Sequence, residues 1–248
     1  MTRSMSTSIT LSGSYTMMRI SKLDFPQKNL GSISLNPKLI IFDCDGVLVD
    51  SEPISNRVLA DLLSEIGIAM TYEESLKLFL GKSWIDSLLI INKLLGREPP
   101  PDLYEIYTER MFREFDNHLL PVPGINQVLQ SITSDYCVAS SGPHIKIRKT
   151  LGVTGLLPLF EGRIFSSTDV ENGKPEPDLF LHACDVMGYT PKQTIVIEDS
   201  PAGVQAAISA EMKVFMYKPF QDKKDLSDNS EVTTFNSMSL LTRIIDRA

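Results

Sequence analysis

The stretch KLIIFDCDGVLVDSE, residues 38–52, decides how the rest of the chain is read. Its apolar run from Leu39 to Phe42 shows no alternation of polar and apolar residues, as expected of a parallel strand buried on both faces. It then stops in carboxylates, Asp43, Asp45 and Asp50. Asp45-Gly46 alone would read as a turn. Clustered acids at a strand end would also suit a hard cation, since they repel one another without it. A third reading makes one carboxylate a nucleophile that attacks phosphorus. The stretch by itself leaves all three open.

Further runs of the same kind follow at YCVAS (136–140), RIFSS (163–167), TIVIEDS (194–200) and KVFMY (213–217). Helical patterns separate them, at roughly 124–133, 144–151, 176–188 and 201–210. Strands alternating with helices predict an α/β fold, a doubly wound parallel sheet. The alternation breaks over 52–121, where the text is amphipathic helix throughout: Ile54, Val58, Leu59, Leu62, Leu63 and Ile66 form one stripe, and helical patterns follow at 73–80, 84–95 and 102–116. The expected organisation is an N-terminal tail at 1–36, a core at 37–51 and 122–248, and an inserted helical cap at 52–121. The cap returns through LLPVPGI (119–125), where Pro121, Pro123 and Gly124 stiffen a turn.

In an open α/β sheet, ligands collect at the carboxyl ends of the strands. The second run ends in Ser140-Ser141-Gly142 before a helix, a plausible phosphate cradle in which Ser141 reads equally as a helix cap. The fourth ends in Glu198-Asp199, followed by Ser200 at an N-cap position and Pro201 in the first turn. NGKPEPD (172–178) sets Lys174 between Gly173 and Pro175. Acids, hydroxyls and a cation thus gather on one edge. Asp50 reads as a cap of the first inserted helix or a support of its hinge.

In order and context DCDGVLVDSE, the Ser140 strand end, GKPEPDLF and EDSPAGVQAA resemble the four motifs of the haloacid dehalogenase superfamily of phosphohydrolases. The insertion resembles the helical cap of the subgroup holding beta-phosphoglucomutase and the sugar-phosphate and phosphogluconate phosphatases. The resemblance implies a role for each matching position. Asp43 would be nucleophile and Mg²⁺ ligand. Asp45 would be general acid/base, its backbone carbonyl also reaching the metal. Asp199 would complete the metal site, with Glu198 on the metal or just behind it. Ser140, Ser141 and Lys174 would hold the transferring phosphoryl group. Because Asp43 must be ionised to attack and Asp45 protonated to assist departure, their environments should separate their pKa values. The implied activity is Mg²⁺-dependent hydrolysis of a small phosphorylated metabolite, of sugar-phosphate or phosphogluconate type, through an aspartyl phosphate. Two alternatives stand beside it, a phosphosugar mutase and a non-catalytic binding protein on the same fold. The mutase of the subgroup uses a His and an Arg in its cap where this chain resembles it with Ser55 and Trp84.

Composition bounds the partners. The chain of 248 residues has a net charge of −7 and no basic run, against a nucleic-acid surface. No apolar stretch approaches the length of a membrane span, and a monomer is the expectation. Cys44, Cys137 and Cys184 have neither disulfide nor zinc spacing, which fits a reducing, cytoplasmic setting. Cys44 reads as a buried spacer between the acids. His118, His144 and His182 lack partner spacing and read as solvated or core residues. GKS at 81–83 lacks the strand and first glycine of a nucleotide-binding loop. Residues 1–23 hold no acid and many hydroxyls, expected of a disordered tail, of a start codon placed too early with Met17 or Met18 as the true start, or of an organellar transit segment.

Overall fold

The computed structural model describes residues 37–219 and 232–246. The readings of residues 1–36 lie outside them. Six parallel strands form one sheet in the order β3-β2-β1-β4-β5-β6. They are β1 (Leu39–Phe42), β2 (Asp135–Ser140), β3 (Ile164–Ser166), β4 (Thr194–Glu198), β5 (Lys213–Tyr217) and β6 (Val232–Phe235). Helices cover both faces, as a parallel sheet requires. Successive residues of β1 serve opposite faces because side chains alternate along a strand. Ile40 and Phe42 pack beneath α5 (Ile125–Ser131), α6 (His144–Val153), α7 (Leu157–Phe160) and α10 (Leu241–Ile245). Leu39 and Ile41 pack beneath α8 (Asp178–Val186) and α9 (Pro201–Ser209). All four residues are fully buried, which is why the run carries no polar residue.

Between β1 and α5 come four helices, α1 (Glu52–Glu65), α2 (Tyr72–Phe79), α3 (Trp84–Leu95) and α4 (Leu103–His118). Leu59, Leu62, Leu63, Phe79, Ile91 and Leu103 form a hydrophobic cluster of their own. Local chemistry sets the boundaries. Thr71 and Glu74 make a reciprocal capping box before α2, Ser83 Oγ accepts from Asp86 N to open α3, and Gly96 ends α3 in the left-handed conformation. The helices leave and return through a narrow ribbon in which Asp50 N donates to Leu120 O (3.0 Å) and Val122 N to Leu48 O (3.0 Å).

Three expectations need correction. The sheet has a sixth strand, β6, and α10 follows it; Val232–Phe235 is half-buried at the sheet edge and holds two threonines, so it lacks the apolar signature of the inner strands. The short α7 is also outside the expected pattern; it is a single turn that ends in the buried Phe160. Asp50 does not cap α1: Ser51 is the N-cap residue, and Asp50, exposed, serves the junction only through its backbone.

Close approach requires a glycine at the start of α9. A Cβ on Gly203, in the first turn of α9, would lie 1.7 Å from Glu198 Oε1, so α9 could not start where it does. Gly203→Ala should destabilise the fold by roughly 1–3 kcal/mol. Gly152→Ala, in α6 with only an ordinary contact to Leu157, should instead stabilise by about 0.5 kcal/mol. Denaturant midpoints of the two variants, moving in opposite directions from the parent, check this.

Candidate active site

The carboxyl ends of β1, β2 and β4 meet below α1–α4 in a cleft of about 310 Å³. Asp43, Asp45, Ser140, Ser141, Lys174, Glu198 and Asp199 all line it, so the structure brings together the residues expected to carry the chemistry, and leaves Asp50 outside. After Phe42 the chain coils through one wide turn, with Leu48 N and Val49 N both donating to Cys44 O. Gly46, at φ +79°, lets this turn pass Asp199; a Cβ there would meet Asp199 Oδ2 at 2.1 Å.

Lys174 is the centre of the charge arrangement. Its ammonium, in a side chain 3% exposed, donates to Asp43 Oδ1 (2.5 Å), Glu198 Oε1 (2.7 Å) and the Ala139 carbonyl (3.1 Å), and lies 4.8 Å from the Phe180 ring centre. Burial alone would strip its proton, but Asp43 and Glu198 beside it outweigh that and raise its pKa. Glu198 is saturated. Its second oxygen accepts from Asp199 N (2.8 Å), Ser200 N (2.8 Å) and Ser200 Oγ (2.9 Å), and Ser200 Oγ in turn accepts from Gly203 N to start α9.

Asp43, Glu198 and Asp199 each offer a carboxylate oxygen, all within 4.8 Å of one another. One lysine does not offset three such charges. Burial, only partly countered by Lys174, pushes Asp43 up to about 7, with the charges of Glu198 and Asp45 adding to the rise. Asp199 is raised strongly, by burial and then by Asp43 and Glu198. An oxygen-only donor set under mutual repulsion fits a hard divalent cation and not a soft transition metal.

Asp45 has a different environment, which the sequence reading missed. Lys146, on α6, donates to its Oδ2 (2.9 Å) and Ser51 Oγ to its Oδ1 (2.5 Å). Burial would raise the Asp45 carboxyl, but the Lys146 charge and these hydrogen bonds prevail and lower it. The pKa values of Asp43 and Asp45 are therefore driven apart in the sense opposite to the expected one. Lys146 carries no motif signal beyond its place in the first turn of the helix after Ser140; only the fold sets it against Asp45.

Ser140 is buried, its Oγ accepting from Gly142 N (3.1 Å). Ser141 is exposed and caps nothing, since Pro143 is the N-cap residue of α6. Cys44 is fully buried, 3.6 Å from Thr150 Oγ1, and burial holds its thiol protonated. No histidine lines the cleft: His118 and His144 face Glu114 and Asp169, and His182 packs edge-on against Phe165. A larger outer groove between α1 and α4 holds Arg110 and Arg113, each already paired, to Glu65 and Glu109.

Residues 40–217 match the family model described as haloacid dehalogenase-like hydrolase. The chain is 33% identical over 206 residues to the 6-phosphogluconate phosphatase of Escherichia coli (strain K12), covering 83% of this chain and 93% of that one. It is 29% identical over 178 residues to the phosphorylated carbohydrates phosphatase of Thermotoga maritima, covering 69% and 80%. A crystal structure of a haloacid dehalogenase-like protein of unknown function from Agrobacterium tumefaciens superposes with a TM-score of 0.71 at 29% identity, covering 84% of this chain and 97% of that one. With its parallel sheet, the acids at its strand ends and these likenesses in view, the chain belongs to the haloacid dehalogenase-like hydrolases, a family of enzymes.

Proposed function

We propose that the protein is a phosphoric monoester hydrolase that acts on a small phosphorylated metabolite, of sugar-phosphate or phosphogluconate type, through a covalent phosphate on Asp43. The observation that carries this reading is the buried Lys174 ammonium, held between Asp43 and Glu198 where the Ser140 hydroxyl and Asp199 share the cleft. Phosphoryl transfer needs positioning and charge compensation more than elaborate chemistry, and a buried cation beside a carboxylate and a hydroxyl at the strand ends supports that reading. The names of the relatives, a phosphatase of 6-phosphogluconate and one of phosphorylated carbohydrates, support the same class.

The residues divide the work. Lys174 and Ser140, with Ser141 at the rim, hold the phosphoryl oxygens. An Asp43 carboxylate oxygen bonds to phosphorus while the ester P–O bond breaks, and Asp45 gives its proton to the departing oxygen. Asp45 then takes a proton from water, whose oxygen bonds to phosphorus as the bond to Asp43 breaks. Asp45 must be protonated for the first half. The negative charge of a bound phosphate beside it, and the competition of that phosphate for Lys146, raise its carboxyl for that purpose. Asp43, the Asp45 backbone carbonyl and Asp199 would hold Mg²⁺, and Glu198 orients Lys174 and the turn to α9. When bound, the ion offsets charge on the transferring group.

The helices α1–α4, residues 52–121, form a cap that shields the cleft from water during transfer. A mutase reading finds no support in their residues. Ser55 Oγ turns to Met111 Sδ (3.5 Å), and Trp84 stacks on Tyr107, so neither position offers a cation for a second phosphate. Among the described residues no helix is long and apolar enough to cross a membrane. The three thiols, free and buried, fit a reducing cytoplasmic setting. We expect the working form to be a monomer, with no nucleic acid or membrane as partner.

Chelation of divalent ions should abolish hydrolysis of p-nitrophenyl phosphate, and Mg²⁺ should restore it; full activity in the chelated protein contradicts the metal assignment. In metal-free protein, Asp43 and Asp199 bind protons more tightly folded than unfolded. Stability should therefore fall as pH rises from about 4, the ordinary carboxylate value, through about 7, and Mg²⁺ should reverse the fall. Thermal denaturation across that range checks the sign. Asp45→Asn should slow alkyl phosphates by about 100-fold or more, and aryl phosphates with good leaving groups far less; equal losses for the two classes would remove Asp45 from proton transfer.

A further inference from the structure

The part of the cleft lined by α3, α4 and the turn between α2 and α3 has three features that hydrolysis itself does not use. The first is Lys82, on the turn between α2 and α3. That turn is anchored: Lys82 N donates to Phe79 O (3.0 Å), Ser83 Oγ donates to Asp86 Oδ2 (2.7 Å), and Glu52 lines the cleft beside Gly81. Glu52 is itself held by Asn56 Nδ2 (2.9 Å), whose Oδ1 accepts from Ser75 Oγ (3.0 Å). Three lysines line the cleft. Lys174 is engaged by Asp43 and Glu198, and Lys146 by Asp45. Among the described residues Lys82 forms no ion pair, although it stands in a cleft otherwise rich in carboxylates.

The second feature is Thr108 on α4, which lines the same cleft. Its Oγ1 is buried without a hydrogen-bond partner among the described residues. A buried hydroxyl left unmade costs stability, so a site that keeps one is completed by something else. The third is an aromatic face: Trp84 stacks on Tyr107 with ring centres 5.3 Å apart, and Tyr104 tilts against it at 5.0 Å. Such a face packs against the C–H surface of a carbon chain while leaving hydroxyls free to hydrogen-bond.

We propose that Lys82 and Thr108 are specificity-determining residues, Lys82 recognising a carboxylate at the far end of the leaving group and Thr108 a hydroxyl along it. The cleft then favours the phosphomonoester of a polyhydroxy acid over that of the corresponding polyol. The inference rests on the phosphatase reading and adds to it which part of the substrate is read, and by which side chains. Without Lys82 an anionic leaving group meets Asp43, Asp45, Glu52, Asp86, Glu198 and Asp199 with no free cation on its own side. A polar group built to pair with the substrate discriminates strongly against an analogue lacking the partner.

D-gluconate 6-phosphate and D-glucitol 6-phosphate differ only at carbon 1, carboxylate against hydroxymethyl, and so isolate the contribution of Lys82. The parent protein should show the higher kcat/KM for the acid. Lys82→Met should lower the acid-to-polyol ratio by about tenfold, Lys82→Glu further, and Lys82→Arg should keep most of it. Thr108→Val should lower kcat/KM for both six-carbon esters at least threefold relative to p-nitrophenyl phosphate, and Thr108→Ser should restore it. A parent that prefers the polyol, or a Lys82→Met ratio within twofold of the parent, overturns the role of Lys82. A Thr108→Val protein that treats the six-carbon esters and p-nitrophenyl phosphate in the parental proportion overturns that of Thr108. A parent that hydrolyses none of the three with Mg²⁺ present defeats the phosphatase reading itself, and this inference with it.

Discussion

A buried ammonium is the constraint on which the rest of the structure depends. Lys174 has almost no contact with water, and its charge is tolerable only because Asp43 and Glu198 come from two neighbouring strands to meet it. Removing one partner of such a group leaves an uncompensated charge in the interior, which costs several kcal/mol. The lysine therefore ties together the ends of β1 and β4 and the loop before α8. Glu198 passes the constraint on, because the oxygen not used by Lys174 holds the backbone of Asp199 and Ser200 and so fixes where α9 begins. Gly203 is the residue that lets the helix come so close.

This arrangement leaves more negative than positive charge at one point of the fold. Asp43 and Asp199 are raised by burial and then by the neighbouring carboxylates, and a site in that condition attracts a cation. Asp45, two residues from Asp43, escapes the same fate because Lys146 and Ser51 hold it. Two carboxylates of one short segment thus differ in proton affinity, and in the metal-free site the difference runs opposite to the proposed roles, so a bound cation and phosphate must invert it.

Much of this was legible in the sequence, for a physical reason. A strand buried on both faces must be apolar throughout, so Leu39–Phe42 and Thr194–Glu198 stand out, and ligand chemistry on such a sheet can sit only at their ends. Asp43 and Asp199 stand out that way, whereas Lys174 stands out only by its NGKPEPD loop and the family resemblance. Val232–Phe235 was missed because an edge strand is half-exposed and tolerates threonines. Lys146 was missed because its meaning is tertiary: nothing in GPHIKIRK distinguishes it from the lysine three residues later, which pairs with Asp116 on the surface. The opposite protonation order of Asp43 and Asp45 in the metal-free site has the same kind of cause, since burial raises Asp43 and Lys146 lowers Asp45. Thr108 and Lys82 become visible only as a hydroxyl without a hydrogen bond and a cation without an ion pair among the described residues, which no single sequence position announces.

The central claim is that Asp43 carries the phosphoryl group between the two halves of the reaction. Rapid acid quench during turnover of a ³²P-labelled phosphomonoester, followed by peptide mapping, tests it most directly. The account predicts label on the peptide containing Asp43, stable in acid and lost in mild base or hydroxylamine as an acyl phosphate must be. Label stable to base and mapped to Ser140, or no label from an enzyme turning over with Mg²⁺, would contradict it.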